Sequence, residues 1–240
     1  MPREEPGRLL RPRRHRRCLS DRHGRRRRVS AIVNGPEQRA DAIEAAIGRL
    51  ASDGYAVADN LIGAALAGRL LARLAKLQSE GALATAGVGR EGGRQVVHAI
   101  RQAAIHWLNG EDAAERDLLA LAETIRVAIN RQLFLGLFHF ECHFIAYPVG
   151  GFYKRHLDAL AGTRNRVVSF VTYLDPDWLP EHGGALRLWN SPEDVEPPAL
   201  EIVPRAGRVV LMLSEHIPHE VLPAHRPRHA IAGWWRVASG

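Results

Sequence analysis

The spacing of apolar residues changes near Gly136. Upstream of it, apolar residues recur every three to four positions in three stretches, which is typical of amphipathic helices. The first should begin at Pro36 and end before Gly54, and the others should cover about 60–78 and 112–132. Three sets of apolar residues should each share a buried helix face: Ile43, Ala46, Ile47 and Leu50; Leu66, Leu70, Leu74 and Leu77; and Leu118, Leu121, Ala122, Ile125, Ile129 and Leu133.

Strand-like alternation dominates the rest of the chain. A short strand is predicted around Tyr55 and Val57, and another includes Trp107. After Gly136, eight segments alternate with period two: 138–149, 151–158, 166–174, 184–189, 199–203, 207–213, 217–222 and 228–237. Short strands separated by Gly and Pro favour a sandwich or barrel, with the third helix packed outside the sheet.

Composition narrows the class of protein. The 240 residues, 46% hydrophobic and 25% charged, are enough for one domain with a full core. The sequence has no run of 18 apolar residues, so no membrane span is expected. Cys18 and Cys142 are the two cysteines, which does not indicate a disulfide framework and favours a reducing, cytoplasmic location.

The net charge of +7 comes from one end of the chain. Residues 1–30 hold 12 of the 33 basic residues and three of the 26 acids, so the remainder has 21 basic and 23 acidic residues. We expect residues 1–33 to be a disordered tail and 34–240 to be the folded domain. The tail could bind nucleic acid or a membrane surface, or be an upstream extension without a role.

Four residues in the second half of the chain indicate a metal site with an anion partner. In a strand, His156 and Asp158 point to the same face, so both can reach one ion, and His219 would have to come from a distant strand. Two imidazoles and a carboxylate are the facial triad of non-haem Fe(II) oxygenases. Arg228, with Arg226 as a rival, could grip a carboxylate with two hydrogen bonds.

A glycine-rich stretch at residues 79–97 has a different interpretation. Its G-V-G-R-E-G-G segment looks like a phosphate loop but lacks the Gly-Lys-Ser/Thr ending and a strand–turn–helix setting. We therefore expect a mobile loop here instead of a nucleotide site.

The segment from Phe140 to Val237 resembles a known family. Its strings FIAYPVGGFYKRHLDA, RVVSFVTYLDPDWLPEHGGALRLW and RAGRVVLMLSEHIPHEVLPAHRPRHAIAGWW, with a weaker upstream IRQAAIHWLNGED, are similar to the 2-oxoglutarate- and Fe(II)-dependent dioxygenases. The likeness is to the prolyl 4-hydroxylase branch, which includes the oxygen-sensing prolyl hydroxylases and their bacterial relatives. It implies a mainly β, α+β domain: helical support and a lid region over 34–135, and a jelly-roll, or double-stranded β-helix, core over 136–240.

The resemblance also implies cofactors and residue roles. Fe(II) would be held by His156, Asp158 and His219, with 2-oxoglutarate and O2 as co-substrates, succinate and CO2 as products, and ascorbate as a stimulant. The other implied roles are binding of 2-oxoglutarate by Arg228, Tyr173, Tyr147 and Trp234, binding of substrate by Tyr153 and Arg166, and closure of residues 85–97 as a lid. Each tyrosine could instead be a strand aromatic packed in the barrel.

The resemblance points to a prolyl residue of a protein, hydroxylated at C4, as the substrate. The alternatives are another residue, a small molecule or a nucleic acid with the same chemistry, or a catalytically idle jelly-roll that binds metal or ligand. The near-neutral domain lacks the basic groove that a nucleic-acid substrate requires. The sequence leaves the oligomeric state open.

Overall fold

Three helices form in the places that the periodicity predicts. They are α1, Pro36–Asp53; α2, Ala64–Ser79; and α3, Ala113–Leu133. The structure is a computed structural model that describes residues 35–86, 100–159 and 166–237. The predicted tail, residues 1–33, and residues 87–97 of the predicted lid lie outside these ranges.

The helix ends follow from local chemistry. Helix α1 has Pro36 in its first turn and stops at Gly54, which takes φ 79° and donates its N–H to the carbonyl of Leu50. Its buried face is the predicted one. Helix α2 begins about four residues later than predicted, because Asn60 and Gly63 both adopt positive φ and Leu66 stays only partly buried.

Helix α3 is capped at its start by a side chain. The Asp112 carboxylate accepts a hydrogen bond from the N–H of Ala114 at 2.7 Å, which satisfies one of the free amides of the first turn. Inside that turn, the fully buried Glu115 pairs with Arg73 of α2 at 2.9 Å. This ion pair ties α3 to α2, and the predicted range of α3 is confirmed to within one residue at each end.

Eleven strands form among the described residues. They are β1, Tyr55–Ala58; β2, Ala84–Thr85; β3, Ala104–Trp107; β4, Leu137–Tyr147; β5, Tyr153–His156; β6, Val168–Tyr173; β7, Leu186–Leu188; β8, Leu200–Ile202; β9, Val209–Leu213; β10, His219–Val221; and β11, Arg228–Val237. They make a seven-stranded sheet, β1-β9-β6-β11-β4-β3-β2, and a four-stranded sheet, β5-β10-β7-β8. The strands of both sheets pair antiparallel.

Each of the eight predicted strand segments contains a strand, usually shorter by one to three residues at an end. Strands β1, β2 and β3 lie upstream of Gly136 and join the larger sheet. The region 34–135 therefore contributes strands as well as helices, since β1 pairs with β9 and β3 pairs with β4.

Strand β11 lies at the centre of the larger sheet and separates two cores. On one face, Ile231 and Trp235 pack in a cluster with the helices. On the other face, Ala230 packs with residues of both sheets, including Tyr173 and Leu188. The space between the two sheets is thus lined by alternate residues of the central strands. Across the described ranges, no helix is both long enough and apolar enough to cross a membrane.

Candidate active site

Three predicted metal ligands converge between the two sheets. His156 ends β5, Asp158 follows two residues later, and His219 begins β10, where it pairs directly with His156. One ligand atom from each side chain lies within 4.8 Å of the others. The Asp158 carboxylate is 3.6 Å from Nε2 of both histidines. His219, 61 positions after Asp158 in the sequence, is thus brought beside it by the pairing of two short strands.

Backbone carbonyls fix the orientation of both imidazoles. Nδ1 of His156 lies 2.8 Å from the carbonyl oxygen of Lys154, and Nδ1 of His219 lies 3.1 Å from that of Ile217. Each Nδ1–H therefore donates to a carbonyl, which leaves Nε2 with a free lone pair. Two neutral imidazoles and a carboxylate suit a borderline cation such as Fe(II), so the donor set fits the metal that the family implies.

Two buried serines form a chain of hydrogen bonds that ends at the Asp158 carboxylate. The Ser169 hydroxyl donates to Oδ2 of Asp158 at 2.6 Å, and the Ser214 hydroxyl is 2.8 Å from Ser169. Since Ser169 has one hydroxyl hydrogen, Ser214 must donate to it. Burial works to raise the pKa of Asp158, but His219, His156 and Ser169 together hold it well below its usual range. Burial also lowers the pKa of His219, to about 4.

Arg228 occupies a buried pocket, which we call the arginine pocket, formed with Tyr147, Tyr173 and Gly184. Its guanidinium carbon lies 5.0 Å from the ring centre of Tyr147 and 5.1 Å from that of Tyr173. Arg228 is 1% exposed, and no carboxylate of the described residues pairs with it. Its Nε and the Tyr173 hydroxyl are both enclosed without a hydrogen-bond partner. A carboxylate ligand would satisfy both atoms, which fits the far end of 2-oxoglutarate.

The surroundings of Arg228 favour that ligand in two further ways. Burial raises the pKa of Tyr173 to about 12, against the opposing charge of Arg228, so this hydroxyl stays protonated and can donate. A Cβ on Gly184, which has φ +65°, would come within 2.9 Å of Cδ of Arg228, so glycine gives the guanidinium its room. The rival Arg226 lies 5.1 Å from the Trp178 ring, outside the arginine pocket.

Trp234, which was expected to bind 2-oxoglutarate together with Arg228, lies apart from the arginine pocket. It is six residues beyond Arg228 on β11, roughly 20 Å at 3.3–3.4 Å per residue. It packs near His143 and Trp107, at ring-centre distances of 5.4 and 6.4 Å, in what we call the aromatic cluster. Its cross-strand neighbour is Ser169, the partner of Asp158. Trp234 therefore lies on the Ser169–Asp158 side of the metal cluster, away from the arginine pocket, and its expected role with 2-oxoglutarate stays a prediction.

The two residues expected to contact substrate lie on that side of the metal cluster. The Tyr153 ring stacks on His156 at 3.6 Å, and burial raises its pKa to about 12. The Arg166 guanidinium lies 3.6 Å from the Trp234 ring centre and hydrogen-bonds Glu141 at 3.2 Å. Both positions are compatible with the expected role. Of the predicted lid, Thr85 and Ala86 are described: Thr85 pairs with Ala104 of β3, and Ala86 is buried.

Several residues of the site were not identified from the sequence. Ser169 shares a strand face with Tyr173, so its alternation could have placed it inside the barrel, but nothing in the sequence pairs it with Asp158. Trp107 was expected in a strand, yet its side chain is 40% exposed at the edge of the aromatic cluster. Arg101 is 8% exposed and lies 4.8 Å from the Tyr153 ring centre. It belongs to the weakest of the four matching strings.

Comparisons with known proteins agree with this geometry. Residues 142–236 match the family model of the 2OG-Fe(II) oxygenase superfamily. A crystal structure of a Pseudomonas putida prolyl-4-hydroxylase has 37% sequence identity and a TM-score of 0.73, covering 82% of this chain and all of that one. A Trichoplax adhaerens prolyl hydroxylase, in complex with a hypoxia inducible factor peptide fragment, has 25% identity and a TM-score of 0.75, covering 83% and 91%.

Two curated prolyl hydroxylases are also similar in sequence to this chain. Mouse prolyl hydroxylase EGLN3 is 28% identical over 203 residues, covering 81% of this chain and 83% of that protein. A Caenorhabditis elegans hypoxia-inducible factor prolyl hydroxylase is 29% identical over 199 residues, and the match spans 76% of this chain but only 26% of that protein.

The chain belongs to the 2-oxoglutarate- and Fe(II)-dependent oxygenases, with prolyl hydroxylases among its relatives. It is a dioxygenase domain, and the family uses Fe(II), 2-oxoglutarate and O2.

Proposed function

We propose that this oxygenase hydroxylates C4 of a prolyl residue in a protein target. The observation that carries the proposal is the 37% identity to the P. putida prolyl-4-hydroxylase over all of that chain. The partly open aromatic cluster beside the metal ligands supports it, because exposed Trp107 and half-buried Arg166 offer a surface that a peptide can reach.

We assign the roles of the residues from their positions. His156, Asp158 and His219 hold the metal, and the two backbone carbonyls behind the imidazoles keep Nε2 directed at it. Arg228 and the Tyr173 hydroxyl bind the C5 carboxylate of 2-oxoglutarate, with Tyr147 packed against the guanidinium. Tyr153, Arg166 and Trp234 line the substrate side.

The chain contributes geometry and an enclosed environment to the reaction. When bound, Fe(II) supplies the activation of O2 that converts 2-oxoglutarate to succinate and CO2 and hydroxylates the substrate. The arginine pocket keeps one end of the co-substrate in a water-excluded site, where its charge-assisted hydrogen bonds are strong. The aromatic side chains around Trp234 give the other side an apolar surface.

The proposal is tested by two measurements on the full chain. Purified protein with Fe(II), 2-oxoglutarate and ascorbate is assayed for succinate, with and without nuclease-treated cell lysate. We expect the lysate to raise succinate release and ascorbate to prolong turnover. Tryptic mass spectrometry should then find a +16 mass shift on prolines of a small set of proteins. D158A with the same lysate is the control.

Different outcomes separate the alternatives. A +16 shift on another residue, or stimulation that survives removal of all protein from the lysate, would contradict a prolyl target. Stimulation by untreated lysate that is absent with nuclease-treated lysate would indicate a nucleic-acid substrate. Metal binding without any succinate release would indicate an idle binding domain.

A further inference from the structure

Two of the described arginines are buried, and the side chains of the next most enclosed, Arg208 and Arg73, are 12% and 13% exposed. Arg228 is 1% exposed and Arg101 is 8% exposed. Three other partly enclosed arginines have carboxylate partners, Arg73 with Glu115, Arg208 with Asp59 and Arg166 with Glu141, whereas Arg155 and Arg226 contact an aromatic ring. Within residues 35–86, 100–159 and 166–237, neither buried arginine forms an ion pair, and Nε of each is enclosed without a hydrogen-bond partner. Arg228 is explained by the carboxylate of 2-oxoglutarate, whereas Arg101 is unexplained.

A desolvated guanidinium without an anion is unfavourable. Removing a charge from water is costly unless hydrogen bonds and an opposite charge compensate for it. Nε of Arg101 is enclosed and has no partner, and its contact is the Tyr153 ring at 4.8 Å. A cation–π contact contributes about 0.5–2 kcal/mol, which is less than the several kcal/mol that burial of an ion costs. The arrangement is therefore incomplete without an anionic ligand.

The position of Arg101 shows which ligand could reach it. Its backbone is bridged to that of Tyr153, whose ring stacks on the metal ligand His156. The guanidinium is therefore one aromatic ring away from the metal cluster, on the substrate side and not in the arginine pocket. Among the described acids, Glu141 is engaged by Arg166 and Arg236, at 3.2 and 3.3 Å. None of the described acids pairs with Arg101, so a bound molecule on this side of the metal cluster can supply the anion.

We propose that Arg101 binds a carboxylate side chain of the target, an Asp or Glu close to the hydroxylated residue. This inference rests on the proposed function, since it places a peptide on the substrate side. A carboxylate matches a guanidinium through two parallel charge-assisted hydrogen bonds, which would complete the site. The enzyme would then select for an acidic residue at a fixed distance from the reacting proline.

The test uses a synthetic peptide library. Peptides of 15 residues with a fixed central proline and randomised neighbours are incubated with the full chain, Fe(II), 2-oxoglutarate and ascorbate, and hydroxylated members are sequenced by mass spectrometry. We expect Asp or Glu to be enriched about tenfold at one position for the wild type, as one charge-assisted pair supplies. R101Q should lose this enrichment and still hydroxylate neutral peptides, and R101E should enrich Lys or Arg at that position.

The control variant is R155Q, which removes a matched arginine. Arg155 lies on the same strand as Tyr153 and forms a cation–π contact with Trp189 at 4.4 Å. It should keep the wild-type preference. Hydroxylation without any acidic preference, or a preference that R101Q retains, would overturn the role of Arg101 while leaving prolyl hydroxylation intact. A wild type that hydroxylates no proline in the library would instead overturn both.

Thermal unfolding gives a readout that does not depend on turnover. Because the charge of Arg101 is uncompensated in the free protein, R101M should have a Tm equal to or above that of the wild type. A binding residue shows this pattern of preserved stability with lost selectivity. A Tm that falls by about 4 °C or more would identify Arg101 as a packing residue and overturn the inference.

Discussion

The arginines on the two sides of the metal cluster differ in their burial and in their ion pairing. In the arginine pocket, Arg228 lies at the start of the central strand β11, and Tyr173 and Gly184 enclose it. On the substrate side, Arg166 is half-buried, stacked on Trp234 and already neutralised by Glu141. The Arg228 charge has no carboxylate partner among the described residues, whereas the Arg166 charge is already paired within the chain.

The two sides of the metal cluster are also formed by different parts of the fold. The arginine pocket uses residues of the core between the sheets, so its shape is set by the same packing that stabilises the fold. The substrate side uses strand ends and a connection next to residues outside the described ranges. Mutations should therefore affect co-substrate binding sharply in the first region and substrate selectivity in the second.

The largest effect is expected at the metal cluster, on which both sides depend. D158A removes one of three ligands and should reduce turnover to background, because two imidazoles bind Fe(II) weakly without the carboxylate. Isothermal titration with Mn²⁺ should show loss of measurable binding, and circular dichroism should show an unchanged fold. Activity near that of the wild type would contradict the metal assignment.

R228L tests the arginine pocket directly. The leucine has no donor for the C5 carboxylate, so KM for 2-oxoglutarate should rise about 100-fold or more, in line with a lost charge-assisted pair of about 3 kcal/mol. Stability should change little, since the native charge has no partner in the free protein. R226L is the matched control and should keep the wild-type KM. Equal effects of the two variants would contradict the assignment to Arg228.

G184A tests whether the room around Arg228 matters. The added Cβ would lie 2.9 Å from Cδ of Arg228, which should displace the guanidinium and raise KM for 2-oxoglutarate about tenfold. Its backbone is also strained at φ +65°, at a cost of about 1 kcal/mol. G136A has φ +68° with nothing within 4 Å of the new Cβ, so it isolates the backbone strain. KM should rise in G184A and not in G136A.

S169A tests the support of the metal carboxylate. The variant leaves Oδ2 of Asp158 without its donor at 2.6 Å, so metal affinity should fall about tenfold. S214A, one hydrogen bond further away, should have a smaller effect. Titration of both variants with Mn²⁺ measures the two affinities, and equal losses would show that the serines act as one unit.

The smallest effect concerns the pH dependence of the metal-free protein. Burial lowers the folded pKa of His219 to about 4 from 6.5, so the unfolded chain binds this proton first as the pH falls. Stability should be highest above pH 6.5 and decrease by about 2 kcal/mol between pH 7.5 and 5. Thermal melts of H219Q should show a shallower decrease. A steeper one would mean that another group controls this range.

The fold could be predicted largely because its elements are strongly periodic. The buried face of α1 and the alternation of β11 follow directly from the sequence. The start of α2 could not be predicted as well, because the positive φ of Asn60 depends on its surroundings. The participation of β1 and β3 in the larger sheet is a long-range pairing that local patterns do not encode.

Prediction of the site from the sequence is limited in the same way. The spacing of His156 and Asp158 predicts a shared face, and the resemblance adds His219 and Arg228. The hydrogen bond from Ser169 and the burial of Arg101 against Tyr153 are properties of tertiary packing. The sequence gives the strand face of Trp234 but not its distance from Arg228, and its expected role stays a prediction.

Strand β11 fixes the distance between Arg228 and Trp234. Arg228 and Trp234 lie on the same side of one continuous strand, so the gap between the co-substrate anchor and the substrate wall is set by the rise of six residues. A single inserted or deleted residue between them would both shift this spacing and invert one of the two side chains. Insertions and deletions are therefore excluded between Arg228 and Trp234. New substrate specificities must arise by side-chain substitutions on a strand of constant length.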